Sequence, residues 1–110
     1  MSDYHEPFEQ LSEKDRDISR ALNSLKEEID AVNWYNQRVD ATEDAELKAV
    51  MAHNRDEEIE HACMTLEWLR RNMDGWDDEL KTYLFTKAPI TEVEKAGEGS
   101  DNGGLSIGKM

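Results

Sequence analysis

The sequence predicts an all-α protein in which two long helices form an antiparallel hairpin and a short third helix follows. Apolar residues recur every three to four positions through most of residues 12–88, which is the period of a helix that buries one face. Capping residues followed by acids mark two helix starts in this stretch, near residues 12 and 42. No Walker, Rossmann or zinc-finger spacing and no internal repeat is present.

The first helix is predicted over residues 13–39. Ser12 can cap free N–H groups of the first turn, and the acids that follow it face the positive end of the helix dipole. The apolar face then steps by three or four residues through Ile18, Leu22, Leu25, Ile29 and Val32.

The second helix is predicted to begin after Thr42, where two acids supply the first turn. Its apolar positions are Leu47, Val50, Met51, Ile59, Ala62, Leu66 and Leu69. The basic pair at residues 70–71 suits a helix C-terminus, and Gly75 supplies a stop. Because residues 40–42 contain neither Gly nor Pro, one kinked helix remains the alternative to a hairpin.

The third helix is predicted over residues 76–85, with acids in its first turn and Pro89 beyond its end. We therefore expect three segments. A flexible N-terminal arm covers residues 1–11, a helical domain covers residues 12–90, and a flexible tail rich in Gly, Ser and Asp covers residues 91–110.

The charge of the chain excludes several classes of partner. Its 26 Asp and Glu outnumber its 13 Lys and Arg, so the net charge is −13, which repels nucleic acid and anionic membranes and attracts cations. The N-terminus lacks the basic start and apolar core of a secretory signal, and no apolar run approaches membrane-spanning length. We expect a cytoplasmic protein with no nucleic-acid or membrane partner.

Several other side chains are expected to pack or to be solvated, without a role in chemistry. Cys63, the single cysteine, cannot form an internal disulfide, and its place in a helical pattern predicts a small buried residue. His53 is expected to cap or pair on the second helix, and Trp68 is expected to pack. Glu57 and Glu60 are expected to be solvated.

Polar positions on the second helix suggest a metal ion. Glu58 and His61 are three residues apart, so their side chains are neighbours that could bind one ion together. They lie within a stripe, residues 47, 51, 54, 58, 61, 65 and 68, whose centre is polar where a seam should be apolar. Because the chain has 15 Glu, such a pair also arises by chance.

Glu28 interrupts the facing stripe of the first helix in the same way. Its neighbours on that stripe are Ala21, Leu25, Val32 and Tyr35. Burying an unpaired carboxylate costs several kcal/mol, which a bound metal ion would offset. The alternative is a solvated face that only resembles a buried one.

The number of ligands predicts a second copy of the chain. Four-helix di-iron sites take one Glu from each of two helices and a Glu-x-x-His pair from each of the others. One chain carries half of this set, so two copies would supply four Glu and two His, enough negative charge to neutralise two Fe²⁺ ions. We therefore predict a half-bundle completed by homodimerisation, with ligands that suit Fe, Mn or Zn.

Three stretches, EEIDAVNWYNQRVDA, HNRDEEIEHACMTLEWLRR and TYLFTKAPI, closely resemble the encapsulated ferritins, which are two-helix ferritin-like proteins housed inside encapsulin nanocompartments. The likeness covers residues 12–90. The closing GGLSIGK resembles the peptide that docks such cargo on the inner wall of the encapsulin shell, and we assign residues 103–109 to it.

The resemblance implies a ferroxidase that oxidises Fe²⁺ to Fe³⁺ for iron storage and iron homeostasis, in a ring-shaped decamer inside the encapsulin nanocompartment. It also implies which residues bind iron. Carried over by position, the ligands of the di-iron centre are Glu28, Glu58 and His61 from each of two chains, with Tyr35 beside them.

The resemblance further implies an acidic site through which iron reaches the centre. The matching positions hold Glu27, Asp30 and Trp34, where Ca²⁺ or another divalent cation could also bind. Asp30 stands where the family pattern has Glu, so its shorter side chain departs from that pattern.

Two functions of other classes are the alternatives. A non-catalytic acidic helical adaptor, or a cation-binding scaffold for other cargo, would gain stability if leucine replaced the polar residues of the seam. A haemerythrin-like oxygen carrier is disfavoured, because three His are too few for its His-rich site.

Overall fold

The structure is a computed structural model and describes residues 4–93. These residues form three α-helices and one short turn of 3-10 helix, and no strand occurs among them. The α-helices are α1 (Glu13–Ala41), α2 (Ala45–Asn72) and α3 (Trp76–Tyr83). The all-α prediction is therefore confirmed, and the assigned targeting peptide at residues 103–109 lies outside the described part of the chain.

Helix α1 begins where the sequence predicts. Ser12 has an extended backbone, and its hydroxyl accepts a hydrogen bond of 3.0 Å from the backbone N–H of Asp15. The helix continues to Ala41, two residues past the predicted end. Its acidic first turn and the basic Arg38 in its last turn both suit the helix dipole.

A short turn separates α1 from α2, so the alternative of one kinked helix is wrong. Residues 42–44 are not helical, and the Asp44 carboxylate accepts a bond of 2.7 Å from the N–H of Leu47. The Thr42 hydroxyl, predicted to mark the helix start, instead accepts the N–H of Asp44 at 3.2 Å. On the α1 side, Lys48 donates to the carbonyl of Val39 at 2.7 Å.

The two long helices pack against each other, and hydrogen bonds between side chains tie them across the seam. Arg55 of α2 donates to Asn36 of α1 at 3.0 Å. Farther from the turn, Thr65 of α2 donates to Glu28 of α1 at 3.3 Å. Because one bond lies close to the turn and the other far from it, together they fix the antiparallel register.

The seam of α1 follows the predicted mixed stripe rather than the purely apolar one. Its half-buried members are Ala21, Leu25, Glu28, Val32 and Tyr35. Leu22 and Ile29, expected on the packed face, are 38% and 54% exposed, so that expectation was wrong for a single chain. Two helices bury only one stripe each, and the rest of their apolar surface needs another partner.

The N-terminal segment is held on the start of α1. Residues 8–10 form the 3-10 turn, and the Arg16 guanidinium donates two bonds to the carbonyl of Phe8, at 2.6 and 3.2 Å. The same guanidinium lies 3.7 Å from the centre of the Phe8 ring. This ordered turn was not predicted, since the sequence suggested a flexible arm over residues 1–11.

The C-terminal end of α2 carries a compact ion-pair cluster. Glu67 accepts hydrogen bonds from Arg70 at 2.7 and 2.8 Å and from Arg71 at 2.7 Å. The bonds from Arg70 and Arg71 lower the pKa of the Glu67 carboxyl to about 2, against the opposing effect of desolvation. The basic pair predicted for this helix end therefore also holds a carboxylate in its charged form.

The described residues 73–93 belong to a second compact unit, separate from the hairpin. Gly75 precedes α3 with φ of +103°, as expected of a helix stop, and α3 ends at Tyr83 rather than residue 85. Phe85 is fully exposed with φ of +63°, a strained conformation for a bulky side chain. Helical conformation resumes at residues 90–93. In the described part of the chain, no helix is both long and apolar enough to span a membrane.

The cap at the turn gives a direct test of the fold. Asp44→Ala is expected to lower the free energy of unfolding by about 1 kcal/mol, because the N–H of Leu47 loses its acceptor. Asp44→Asn keeps an acceptor and should retain most of the stability. Urea unfolding at a fixed protein concentration, followed by circular dichroism, measures both. Glu43→Ala changes the neighbouring acid and is the control; an equal loss there would contradict the capping explanation.

Candidate metal centre

The predicted ligand pair of α2 is present as a contact. Nδ1 of His61 lies 3.6 Å from Oε1 of Glu58, one turn apart on the helix. The Glu58 side chain is 28% exposed and that of His61 is 49% exposed. The pair is thus close enough to share an ion and open enough for an ion to reach it.

The third predicted ligand, Glu28, lies on α1 at the seam. Its Oε2 accepts the hydroxyl of Thr65 at 3.3 Å, whereas its Oε1 is buried and has no hydrogen-bond partner. Buried oxygens of carboxylates normally accept hydrogen bonds or bind cations, because losing hydration without a replacement is costly. Oε1 of Glu28 therefore has the free lone pairs that a metal ligand requires.

The three ligands do not converge within one chain. Glu28 is bonded to Thr65, which lies four residues beyond His61 and seven beyond Glu58. At about 1.5 Å per residue, these offsets are roughly 6 and 10 Å along the helix axis. Consistent with this, residues 4–93 contain no group of three or more His, Cys, Asp or Glu side chains that could hold a metal ion.

The donor set fits a first-row transition metal better than the alternatives. Carboxylate oxygens combined with an imidazole nitrogen suit Fe, Mn or Zn, whereas Cu(I) and iron–sulfur clusters prefer thiolates. One chain offers a Glu–His pair and a separate carboxylate with an unsatisfied oxygen. These candidate ligands can complete the coordination of a metal ion only together with further donors from outside the chain.

Tyr35 lies on the same face of α1 as Glu28, two turns further along. Its side chain is half-buried, and the guanidinium of Arg38 lies 5.2 Å from the centre of its ring. This cation–π contact was not foreseen from the sequence. It restrains the aromatic ring on the face of α1 that carries the predicted ligand Glu28.

The three residues assigned to the acidic site lie on the outer side of α1. Glu27, Asp30 and Trp34 are all exposed, and Trp34 retains 53% of its accessible surface. Their spacing of three and four residues places them in one row on the helix. The structure thus keeps them together on a surface, apart from the half-buried Glu28.

The remaining expectations for α2 had mixed outcomes. His53 pairs with Glu57, with 3.3 Å between Nε2 and Oε2, as predicted. Glu57 and Glu60 are exposed, also as predicted. Cys63 is exposed, so the prediction of a buried thiol was wrong. The helical pattern gave Cys63 a place among apolar residues, but its side chain lies on the outer side of α2 beside Glu60 and Glu67.

Sequence reasoning also missed the contact that orients Glu28. Thr65 is one of the polar positions of the predicted stripe on α2, but its hydrogen bond to Glu28 was not predicted. The signal was its position four residues after His61, which places it on the same face of α2 as the ligand pair. Its partner on α1 could be identified only from the register of the hairpin.

Comparison with known proteins identifies a family and several relatives of this chain. The family model described as EncFtn-like matches residues 3–87. A ferritin-like protein of Thermotoga maritima is 61% identical over 106 residues, covering 96% of this chain and 93% of that protein. An encapsulated ferritin-like protein of Rhodospirillum rubrum is 60% identical over 99 residues, covering 87% of this chain and 71% of that protein.

A more distant relative and a solved structure agree with these matches. An encapsulin nanocompartment cargo protein of Myxococcus xanthus is 35% identical over 69 residues, covering 59% of this chain and 53% of that protein. The crystal structure of a protein from Nitrosomonas europaea is similar with a TM-score of 0.78 and 58% identity, covering 81% of this chain and 98% of that chain.

Proposed function

Because the chain belongs to the EncFtn-like family of encapsulin-associated ferritin-like proteins, we propose that it is a ferroxidase that oxidises Fe²⁺ to Fe³⁺ for iron storage. The reaction takes place at a di-iron site shared between two copies of the chain. The assembly is the cargo of an encapsulin nanocompartment, where the ferric product accumulates. The name of the Rhodospirillum rubrum relative, an encapsulated ferritin-like protein, supports this setting.

One observation supports the proposal most strongly: the buried Oε1 of Glu28 without a partner, in the same seam as the Glu58–His61 pair. A buried carboxylate oxygen is costly unless a cation or a hydrogen-bond donor satisfies it. A second copy related by a two-fold axis brings the same three side chains to the seam again. Four carboxylates and two imidazoles then match the ligand number of a di-iron site.

The residues of the chain have distinct roles in this reaction. Iron is the substrate, and Glu28, Glu58 and His61 bind it. The carboxylate oxygens are hard, negatively charged ligands, so they stabilise Fe³⁺ more than Fe²⁺ and favour loss of the electron. Tyr35, restrained by Arg38, lies on the seam near the ligands and can hydrogen-bond to one of them.

The electron balance requires an oxidant from solution. Two Fe²⁺ ions release two electrons, which together with two protons reduce one O₂ to H₂O₂ or one H₂O₂ to two water molecules. The fixed carboxylates hold both ions during this exchange. In the exposed row of Glu27, Asp30 and Trp34, the two carboxylates supply negative charge that would attract Fe²⁺ before its transfer to the centre, and Ca²⁺ or another divalent cation could occupy the same row.

The surface of the hairpin supports assembly beyond a dimer. One side of the seam is a shallow groove that includes Ile29, Val32 and Ile59. The opposite side has another groove, which includes Ala21, Met64 and Trp68. If each groove forms its own two-fold interface, the two interfaces alternate, and a closed ring contains an even number of chains. The ring-shaped decamer implied by the resemblance is such a ring.

Targeting to the shell is proposed to reside in the C-terminal peptide at residues 103–109. Leu105 and Ile107 alternate in the sequence, so in an extended conformation both side chains would face the same way and could enter one apolar groove. Each peptide would bind weakly. Many peptides on one ring would bind together and hold the cargo on the inner wall.

Removal of the ligand histidine tests the catalytic proposal. His61→Ala is expected to slow rapid iron oxidation by at least about tenfold, because loss of a metal ligand weakens both binding and oxidation. Stopped-flow absorbance of the ferric product under excess O₂ measures the rate. His53→Ala is the matched control, since His53 also pairs with a Glu on α2 but lies outside the seam. An unchanged rate in His61→Ala would favour the adaptor instead.

Assembly tests the shared site. Fe²⁺ added without oxygen is expected to shift the protein toward dimers and larger even-numbered rings, because the ion binds only the assembled form tightly. Native mass spectrometry with and without Fe²⁺ measures the shift. His61→Ala keeps both apolar grooves and should not respond. If the fraction of wild-type monomer does not change when Fe²⁺ is added, the result would argue against a site between subunits.

Deletion of residues 103–110 tests targeting. Shells purified after co-expression with an encapsulin are expected to be empty, because the deletion removes both apolar side chains of the peptide. The truncated protein should keep the ferroxidase rate of the full chain. A double substitution, Leu105→Ser with Ile107→Ser, keeps the length of the tail and should give the same result. Shells that still contain full cargo would refute the targeting role.

A further inference from the structure

Thr65 touches a proposed ligand without being one. We propose that Thr65 is a positioning residue: its hydroxyl holds Oε2 of Glu28, so that Oε1 alone is presented to iron. The inference rests on the proposed function, since it assigns Thr65 a task only if Glu28 binds iron. It predicts an effect of the hydroxyl on metal binding that is separate from any effect on folding.

The geometry gives the two oxygens of Glu28 different surroundings. Oε2 accepts the Thr65 hydroxyl at 3.3 Å, and Oε1 is buried without a partner. The bond is longer than the usual O–H···O distance of about 2.8 Å, so it is weak in the metal-free chain and can shorten once the carboxylate is fixed by an ion. The bond also joins α2 to α1, so the packing of the hairpin determines the orientation of the carboxylate.

The identity of the side chain suits this task. A threonine in a helix often donates its hydroxyl to a carbonyl one turn back, but here the hydroxyl donates to Glu28 on the other helix. Branching at Cβ limits χ1 to few rotamers, which restricts the direction of the hydroxyl. The terminal torsion of a Glu is otherwise broad, so nothing within Glu28 itself would fix which oxygen faces the ion.

The consequence for metal binding concerns the number of oxygens that Glu28 supplies. With Oε2 engaged by Thr65, Glu28 coordinates through one oxygen, and a coordination position is left for water or oxidant. Without the hydroxyl, nothing holds the carboxylate in this orientation, so it can turn away from the ion and the site loses a preoriented ligand. Partners of metal ligands typically change metal affinity by about 10- to 100-fold when they are removed.

The test uses Co²⁺, whose visible absorption spectrum reports its coordination. The titration is done without O₂, so that the ion stays divalent. Thr65→Val removes the hydroxyl while keeping the shape of the side chain, and Thr65→Ser restores a hydroxyl. We expect Thr65→Val to weaken Co²⁺ binding by about 10- to 100-fold and to change the visible absorption intensity of the bound ion. Thr65→Ser should resemble the wild type in both.

Two further variants make the outcome unambiguous. Thr82→Val removes a hydroxyl that donates to a backbone carbonyl in α3 and is expected to leave Co²⁺ binding unchanged. Thr65→Ala deletes the same hydroxyl with a smaller side chain, so the comparison does not depend on how well valine packs. If the wild-type protein binds no Co²⁺, the proposed function fails. If the wild type binds and Thr65→Val and Thr65→Ala bind equally well with the same spectrum, the role of Thr65 is refuted.

Discussion

The carboxylate of Glu28 lies between two helices, with one oxygen bonded to Thr65 and the other buried without a partner. Around it, the seam of α1 consists of apolar or aromatic side chains that gain stability from burial. Replacing the carboxylate by leucine would extend that stripe without interruption. The chain instead retains a group that is costly to bury, and a bound cation is the partner that would make the position favourable.

A second constraint is that one hairpin is too small to bury all of its own apolar surface. Large apolar side chains such as Ile29 and Met64 remain exposed on the two sides of the seam, and the proposed ligands lie between them. In the proposed assembly, the pairing of two chains therefore both buries this apolar surface and completes the ligand set. Hydrophobic burial would supply most of the affinity between copies, while the metal ligands, which must meet across a two-fold axis, would select the register.

The parts of the structure that depend on local chemistry were predictable from the sequence. Ser12 at the start of α1 and the acids after Thr42 are local signals, and they located the helices to within a few residues. Burial was less predictable, because Leu22, Ile29 and Cys63 have the helical spacing of packed residues but lie where one chain has no second layer. The contact between Thr65 and Glu28 joins residues 37 apart, so it follows from the register of two helices and not from any spacing.

The turn between α1 and α2 also bears on the order in which the protein forms. It spans three residues, is tied on both sides by Asp44 and Lys48, and brings together helices that are neighbours in the chain. Contacts between adjacent elements close small loops, and helical hairpins of this kind fold among the fastest structures known. Each chain can thus bring its proposed ligands into one row soon after synthesis. In the proposed assembly, a second chain would then meet helices that are already formed, and the rate of pairing would be set by encounter and orientation.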